Sequence, residues 1–203
     1  MVAFDSLTTL VAPYAPNVPA FTAANAIREA ARDFLRHVFA CQREVSVCVT
    51  AGEAKCEVYS DDFDTEIVSI LEVKRGDSDV LVQMPADNRD TYQGKPSHYI
   101  GKFDRTLKLF PVPKEDEELT AVVAVRPAFS AVGMDKYTFE DNAEAIRFGA
   151  LAILKRQPNT GWFSPDEVGY YENLFLDAKN KKAEEIRLGH MPNNMKLEIP
   201  SFL

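Results

Sequence analysis

The chain has 203 residues, is 46% hydrophobic and 27% charged, and carries a formal net charge of −8. That length accommodates one domain, or a small core with one insertion, and buries roughly 70% of its unfolded surface without help from a metal or disulfide. The composition excludes wholesale disorder, and the lack of clustered Lys and Arg excludes nucleic-acid binding by charge neutralisation.

No run approaches the ~20 apolar residues of a membrane helix. The opening segment lacks a basic lead and carries Asp5 and three prolines, so it does not read as a signal peptide. The expected location is the cytoplasm, unless the chain leaves inside a larger particle. Cys41, Cys48 and Cys56 are odd in number, which leaves a free thiol and fits a reducing compartment.

Residues 1–21, with Pro13, Pro16 and Pro19, read as an extended lead. A helix is expected over Thr22–Phe39, N-capped by Thr22. Ile27, Ala30, Ala31, Phe34, Leu35 and Val38 form its apolar stripe. Glu29–Arg32 and Asp33–Arg36 sit at i,i+3 on the charged face.

The period then changes to two. Val45, Val47 and Val49 alternate with polar residues, Ala51-Gly52-Glu53 makes a turn, and Lys55–Tyr59 returns as the partner strand. Further strands are expected at Glu66–Lys74, Val80–Met84, Ser97–Phe103, Thr106–Phe110 and Leu119–Arg126. Turns fall at Arg75-Gly76-Asp77 and Asp104-Arg105, with a short helical turn at Asp87–Tyr92. Together they make an antiparallel sheet region of about six to seven strands.

Helical spacing resumes at Glu140–Arg156, with Ile146, Gly149, Ala150, Ile153 and Leu154 on one face and Pro158 closing it. Ser164-Pro165-Asp166-Glu167 has the form of a capping box. The helix it opens runs to about Leu188 through Val168, Tyr171, Phe175, Ala178 and Ile186, and Gly189 ends it. Gly149 and Gly169 interrupt these helices at about 1 kcal/mol each and suggest close helix approach.

The expected fold is therefore α+β. One N-terminal and two C-terminal helices (22–41 and 135–189) form a discontinuous bundle, an antiparallel β region (42–134) is inserted into it, and residues 190–203 form an extended C-terminal arm. Within the arm, Lys196-Leu197-Glu198-Ile199 alternates polar and apolar residues, as a strand added to a partner's sheet edge would.

Catalytic grammar is sparse. His37, His98 and His190 lie near no nucleophile elbow, and no P-loop, GxGxxG or HExxH occurs. His37, Cys41, Cys48 and Cys56 could supply four zinc ligands, but tight CxxC pairs are missing and small half-buried thiols explain them. Asp61-Asp62-Phe63-Asp64 and Glu115-Asp116-Glu117-Glu118 read as solvated turns rather than catalytic pairs. The Phe and Tyr residues fall on apolar faces without the basic neighbours of an RNA-binding sheet. No enzyme activity and no cofactor are expected.

The order of segments resembles the head-to-tail adaptor (connector) proteins of tailed bacteriophages. The resemblance rests on the helix Ala-Ile-Arg-Glu-Ala-Ala-Arg-Asp-Phe-Leu (26–35) and on the alternating valines with a turn at Ala51-Gly52. It continues through Gly94-Lys95-Pro96-Ser97-His98-Tyr99, residues 106–113, a strand ending in Arg126-Pro127, a helix containing Gly149-Ala150-Leu151, and Pro158-Asn159-Thr160-Gly161-Trp162 before the last capped helix. It covers roughly residues 20–190 and leaves the arm unmatched.

The resemblance implies a structural subunit of a homo-oligomeric ring, commonly twelve-fold, in the virion neck. Such a ring attaches below the portal protein, meets other neck or tail proteins, and continues the channel for double-stranded DNA without sequence-specific binding. On that reading Met191, Leu197, Ile199, Phe202 and Leu203 contact the portal or a neighbour. Asp61, Asp62, Asp64, Glu115, Glu117 and Glu118 are candidates for an acidic channel lining. A tail-completion or stopper protein is the neighbouring alternative. A carboxylate- or metal-dependent hydrolase and a module binding a host protein are more distant ones.

Overall fold

In the computed structural model, which describes residues 1–60, 62–76, 78–85, 92–101 and 105–189, two hydrophobic cores stack along the chain. The described strands are β1 (Val2–Ala3), β2 (Gln42–Val49), β3 (Lys55–Glu57), β4 (Thr65–Arg75), β5 (Asp79–Val80), β6 (Val82–Gln83), β7 (Gln93–Gly94), β8 (His98–Gly101), β9 (Thr106–Phe110), β10 (Val112–Pro113), β11 (Glu117–Pro127) and β12 (Gly133–Met134). The α-helices are α1 (Ala20–Val38), α2 (Lys136–Lys155) and α3 (Pro165–Gly189). The class is α+β.

The first core gathers the α1 stripe, the inner face of α2, Phe175 of α3 and residues from both flanks of the helices. Ile27, Ala30 and Ala31 are fully buried, and their small neighbours let α2 approach closely. At Gly149 a Cβ would stand 2.9 Å from Ala30 Cβ and 2.9 Å from the Phe175 ring, so this glycine is where three helices touch. Gly169 does not behave likewise, because a Cβ there would meet nothing within 4 Å.

The N-terminal lead is not extended. Residues Phe4–Leu10 form a 3₁₀ helix, and Phe4, Leu7, Val11 and Ala15 are buried against α1. The three prolines all follow this turn rather than interrupt it. β1 pairs antiparallel with β12, and at Gly133 a Cβ would come within 2.3 Å of the Val2 carbonyl oxygen, so only glycine permits the pairing. Helix α1 starts at Ala20 with Pro19 in the N-cap position, two residues before the expected Thr22. Helix α2 starts at Lys136, where Asp135 caps it by accepting from the Thr138 N–H at 2.8 Å. Glu167, expected to complete a capping box, takes the buried Lys155 ammonium at 2.8 Å as well as the Ser164 side chain.

The second core lies between two four-stranded sheets, ordered β2-β11-β4-β5 and β3-β9-β8-β6. Val45, Val47, Val49, Leu119, Ala121 and Val123 face Tyr99, Leu107 and Leu109 across it, which makes the region a sandwich rather than one sheet. The expected β2–β3 hairpin does not form. β2 pairs with β11 and β3 with β9, so the chain passes from one sheet to the other through the turn at Gly52 (φ 81°). A second crossing occurs at buried Leu81, which splits the expected Val80–Met84 strand. Its N–H bonds Val73 in the first sheet, and the next N–H, of Val82, bonds Ser97 in the second. Two pairings, β6–β8 and β7–β10, are parallel, against the all-antiparallel expectation. The turns expected at Asp77 and Asp104, and most of the helical turn expected at Asp87–Tyr92, lie outside the described residues, as does the arm.

Candidate assembly surface

The two cores meet at a charged joint. Arg32 of α1 reaches Glu66 of β4 at 3.1 Å and also donates to the Pro127 carbonyl, while Arg126 of β11 reaches the same carboxylate at 3.1 Å. The Phe129 N–H donates to the other Glu66 oxygen at 3.3 Å. Burial opposes ionisation of Glu66, but the Arg32 hydrogen bond and charge outweigh it, aided by the Phe129 N–H and Arg126, and hold its pKa below the ordinary carboxylate value. Arg28 donates to the Ala131 carbonyl at 3.3 Å, and both Arg28 and Arg32 stand 5.8 Å from the centre of the Phe129 ring.

The helix surface pairs expected at i,i+3 are replaced by longer connections. Arg32 takes Glu66 rather than Glu29, and Asp33 takes Lys179 of α3 at 2.8 Å rather than Arg36. Local spacing shows which charges share a face, but not which distant element comes to rest against it.

The candidate metal ligands do not converge. Among the described residues no three of His, Cys, Asp or Glu stand together as a metal-binding group. Cys48 is exposed on the outer face of β2, while Cys41 and Cys56 are half-buried. Burial pushes the Cys56 thiol up to about 11 and raises that of Cys41, so both hold their protons at neutral pH.

The acidic groups separate instead of forming one surface. The carbonyl of Asp64 accepts from the Ala128 N–H, just beyond the Pro127 end of β11. Glu117 and Glu118 begin the other end of that eleven-residue strand. At about 3.3 Å per residue the two ends are roughly 33 Å apart. Several of these acids are also engaged. Glu117 holds Arg75 through two bonds of 2.6 and 3.1 Å, Asp116 accepts from the Ala51 N–H at 2.8 Å, and Ser46 donates to Glu118. Asp62 accepts from the Asp64 N–H at 3.0 Å and lies 3.9 Å from Arg43. Glu115 is exposed, and Asp61 lies outside the described residues.

Sequence reasoning passed over three features. Phe63 (96% exposed), Phe129 (77%) and Val132 (63%) stand on neighbouring loops near the joint. A pocket of about 120 Å³ lies beside them, lined by Cys41, Arg43, Asp62, Asp64, Arg126 and Asp135 among others. The third feature is the outer edge of β2, the end strand of its sheet. An apolar residue flanked by Asp61, Asp62 and Asp64 was the one available signal for Phe63.

The protein thus shows two kinds of surface, one internal and one facing outward. Its charges join layers within the chain, and its exposed aromatics and strand edge face outward. The chain belongs to the SU10 adaptor protein family, whose family model matches residues 2–194, and it is on that ground a structural phage adaptor protein. No curated protein matches it. No described helix is long and apolar enough to cross a membrane.

Proposed function

We propose that the protein is the head-to-tail adaptor subunit that assembles as a ring below the portal, joins head to tail and continues the DNA channel. The observation that carries this reading is the adaptor family match over residues 2–194. The charged joint at Glu66 supports it, because a coupling between head and tail must transmit load between its own two layers, and here ion pairs tie α1 to the strands β4 and β11. The partners are then the portal protein, other neck or tail proteins, and further copies of the chain, twelve to a full ring. The helical layer (22–41 with 135–189) and the inserted sandwich (42–134) act as two domains of one subunit.

The C-terminal residues Met191, Leu197, Ile199, Phe202 and Leu203 contact the portal or a neighbouring subunit. The DNA-facing surface is acidic, so like charge repels the backbone and transit meets little adhesion. Since the two acidic groups lie at opposite ends of β11, a ring that points this strand across its radius presents one group to the channel and the other outward. Asp64 belongs to the first group, and Glu115 and Glu118 belong to the second.

The test is reconstitution. Purified chain mixed with portal rings should form a particle with a second ring of density on the portal's tail-facing side, visible by electron microscopy. Binding to a preformed adaptor ring but not to a bare portal would overturn the reading in favour of a stopper or tail-completion protein.

A further inference from the structure

The outer strands of the sandwich are unequal in length. Three of them are short: β5 and β6 have two residues each and β3 has three. β2 has eight, stands at the end of its sheet, and is paired with β11 along its whole length on one side. Among the described residues no backbone group bonds it on the other side. Soluble proteins blunt such edges with short strands, prolines, bulges or charges, and of these β2 has only Arg43 and Glu44 near its start, leaving Val45–Val49 unguarded. Its register on β11 is unbroken from Val49↔Glu117 to Gln42↔Ala124, whereas the β4–β11 pairing shifts twice. Val45, Val47 and Val49 are buried, so a layer of the core ends at an open flank.

We infer that this edge seats residues 195–199 of a second copy of the chain, added as a fifth strand. The inference rests on the reading of the protein as a homo-oligomeric subunit. The segment Met195-Lys196-Leu197-Glu198-Ile199 alternates strictly. Three apolar residues one face deep match the three buried valines of β2, and Lys196 and Glu198 fall on the side of Glu44, Ser46 and Cys48. Pro192 and Pro200 bracket it and cannot donate to a ladder, which fixes the added strand's length.

Reach is sufficient. The last turns of α3, at Ala183, Ile186 and Arg187, line one groove with Phe39 and Gln42, so the chain leaves α3 beside the start of β2. The five residues 190–194 span at most about 18 Å, enough to cross to an abutting subunit. A donor segment and an acceptor edge that differ make a head-to-tail contact, the kind that closes into a ring. Pairing within one chain would consume both and leave neither for assembly.

Cys48, exposed on β2, serves as the reporter. Glu198→Cys and Lys196→Cys are made separately in the full chain, the protein is mildly oxidised, and disulfides are mapped by peptide mass. The expected result is a bond from Cys48 to one of the new positions between chains, giving a ladder on a non-reducing gel. The same bond within one chain, or none at either position, overturns the inference. The mass of the unaltered chain, measured alone and with portal rings, separates the two readings. A chain that is never more than a monomer refutes the homo-oligomer, whereas an oligomer without the interchain bond refutes only this seat for the strand.

Discussion

Helices α1 and α3 lie in the same layer and have opposite characters. α1 buries nine of its nineteen residues, from Ala23 to Val38. α3 is longer, with twenty-five residues, yet buries only Phe175. α1 is held on several sides, by α2, α3, the N-terminal 3₁₀ helix and β11. α3 sends one side chain, Phe175, fully into the core, lays Tyr171, Ala178, Ala183 and Ile186 half-buried against it, and leaves Tyr170, Leu176 and Leu188 exposed. Helix length therefore says little about a helix's part in stability. What counts is whether other elements close around it.

The largest break in this contrast should come from Phe34→Ala. The ring is 1% exposed and packs 6.2 Å from Phe175, so its loss should cost about 3–5 kcal/mol in urea unfolding. Leu176→Ala on the outer face of α3 should stay within about 0.5 kcal/mol. Equal losses at the two positions would mean that α3 is more deeply seated than its exposure indicates.

Gly149→Ala comes next. It forces a methyl against Ala30 and Phe175 at 2.9 Å, and should cost about 1–3 kcal/mol by prying α3 from the pair beneath it.

Acid should loosen the joint between layers. Glu66 has its pKa lowered in the folded chain, so its contribution is fully present above the unfolded carboxyl value and is lost as pH falls through the lower folded one. Thermal melting followed from pH 6 to pH 3 should show a falling Tm whose slope below about pH 4.5 is shallower in Glu66→Gln. An unchanged slope would show that the joint does not carry this acid sensitivity.

The smallest effect has the opposite sign. Gly169→Ala, in a helix with open space around it, should stabilise by about 0.5–1 kcal/mol, read as a small rise in urea midpoint. Measured beside Gly149→Ala, it distinguishes a glycine needed for contact from one that is not.

Periodicity made the helices and most long strands legible. The stripe Ile27–Val38 needed only a 3.6-residue count, and the Thr106–Phe110 strand matches β9 at both ends. Pairing was less legible, because alternation identifies a strand without naming its neighbour. The turn at Ala51-Gly52 suits a hairpin equally well as a crossing between sheets, and only the distant partners, β11 for β2 and β9 for β3, decide it. In the N-terminal segment, Phe4, Leu7, Val11 and Ala15 already had helical spacing, but three prolines masked it. The joint at Glu66 was not legible at all. Its arginines lie 34 and 60 positions away along the chain, and no local rule connects them.

The pairing of β1 with β12 and the packing of α1 on α2 have a consequence for biosynthesis. The apolar face of α1 is complete once residue 38 has been made, while α2, which covers it, begins at Lys136. A ribosome adding 5–20 residues per second takes about 5–20 s to make the intervening ~100 residues. For that interval the apolar face of α1 has only the N-terminal 3₁₀ segment to cover it, and the sandwich can form before α2 and α3 arrive. The order of synthesis is thus the reverse of the order of need, and the vulnerable moment in making this protein falls between the emergence of its two ends.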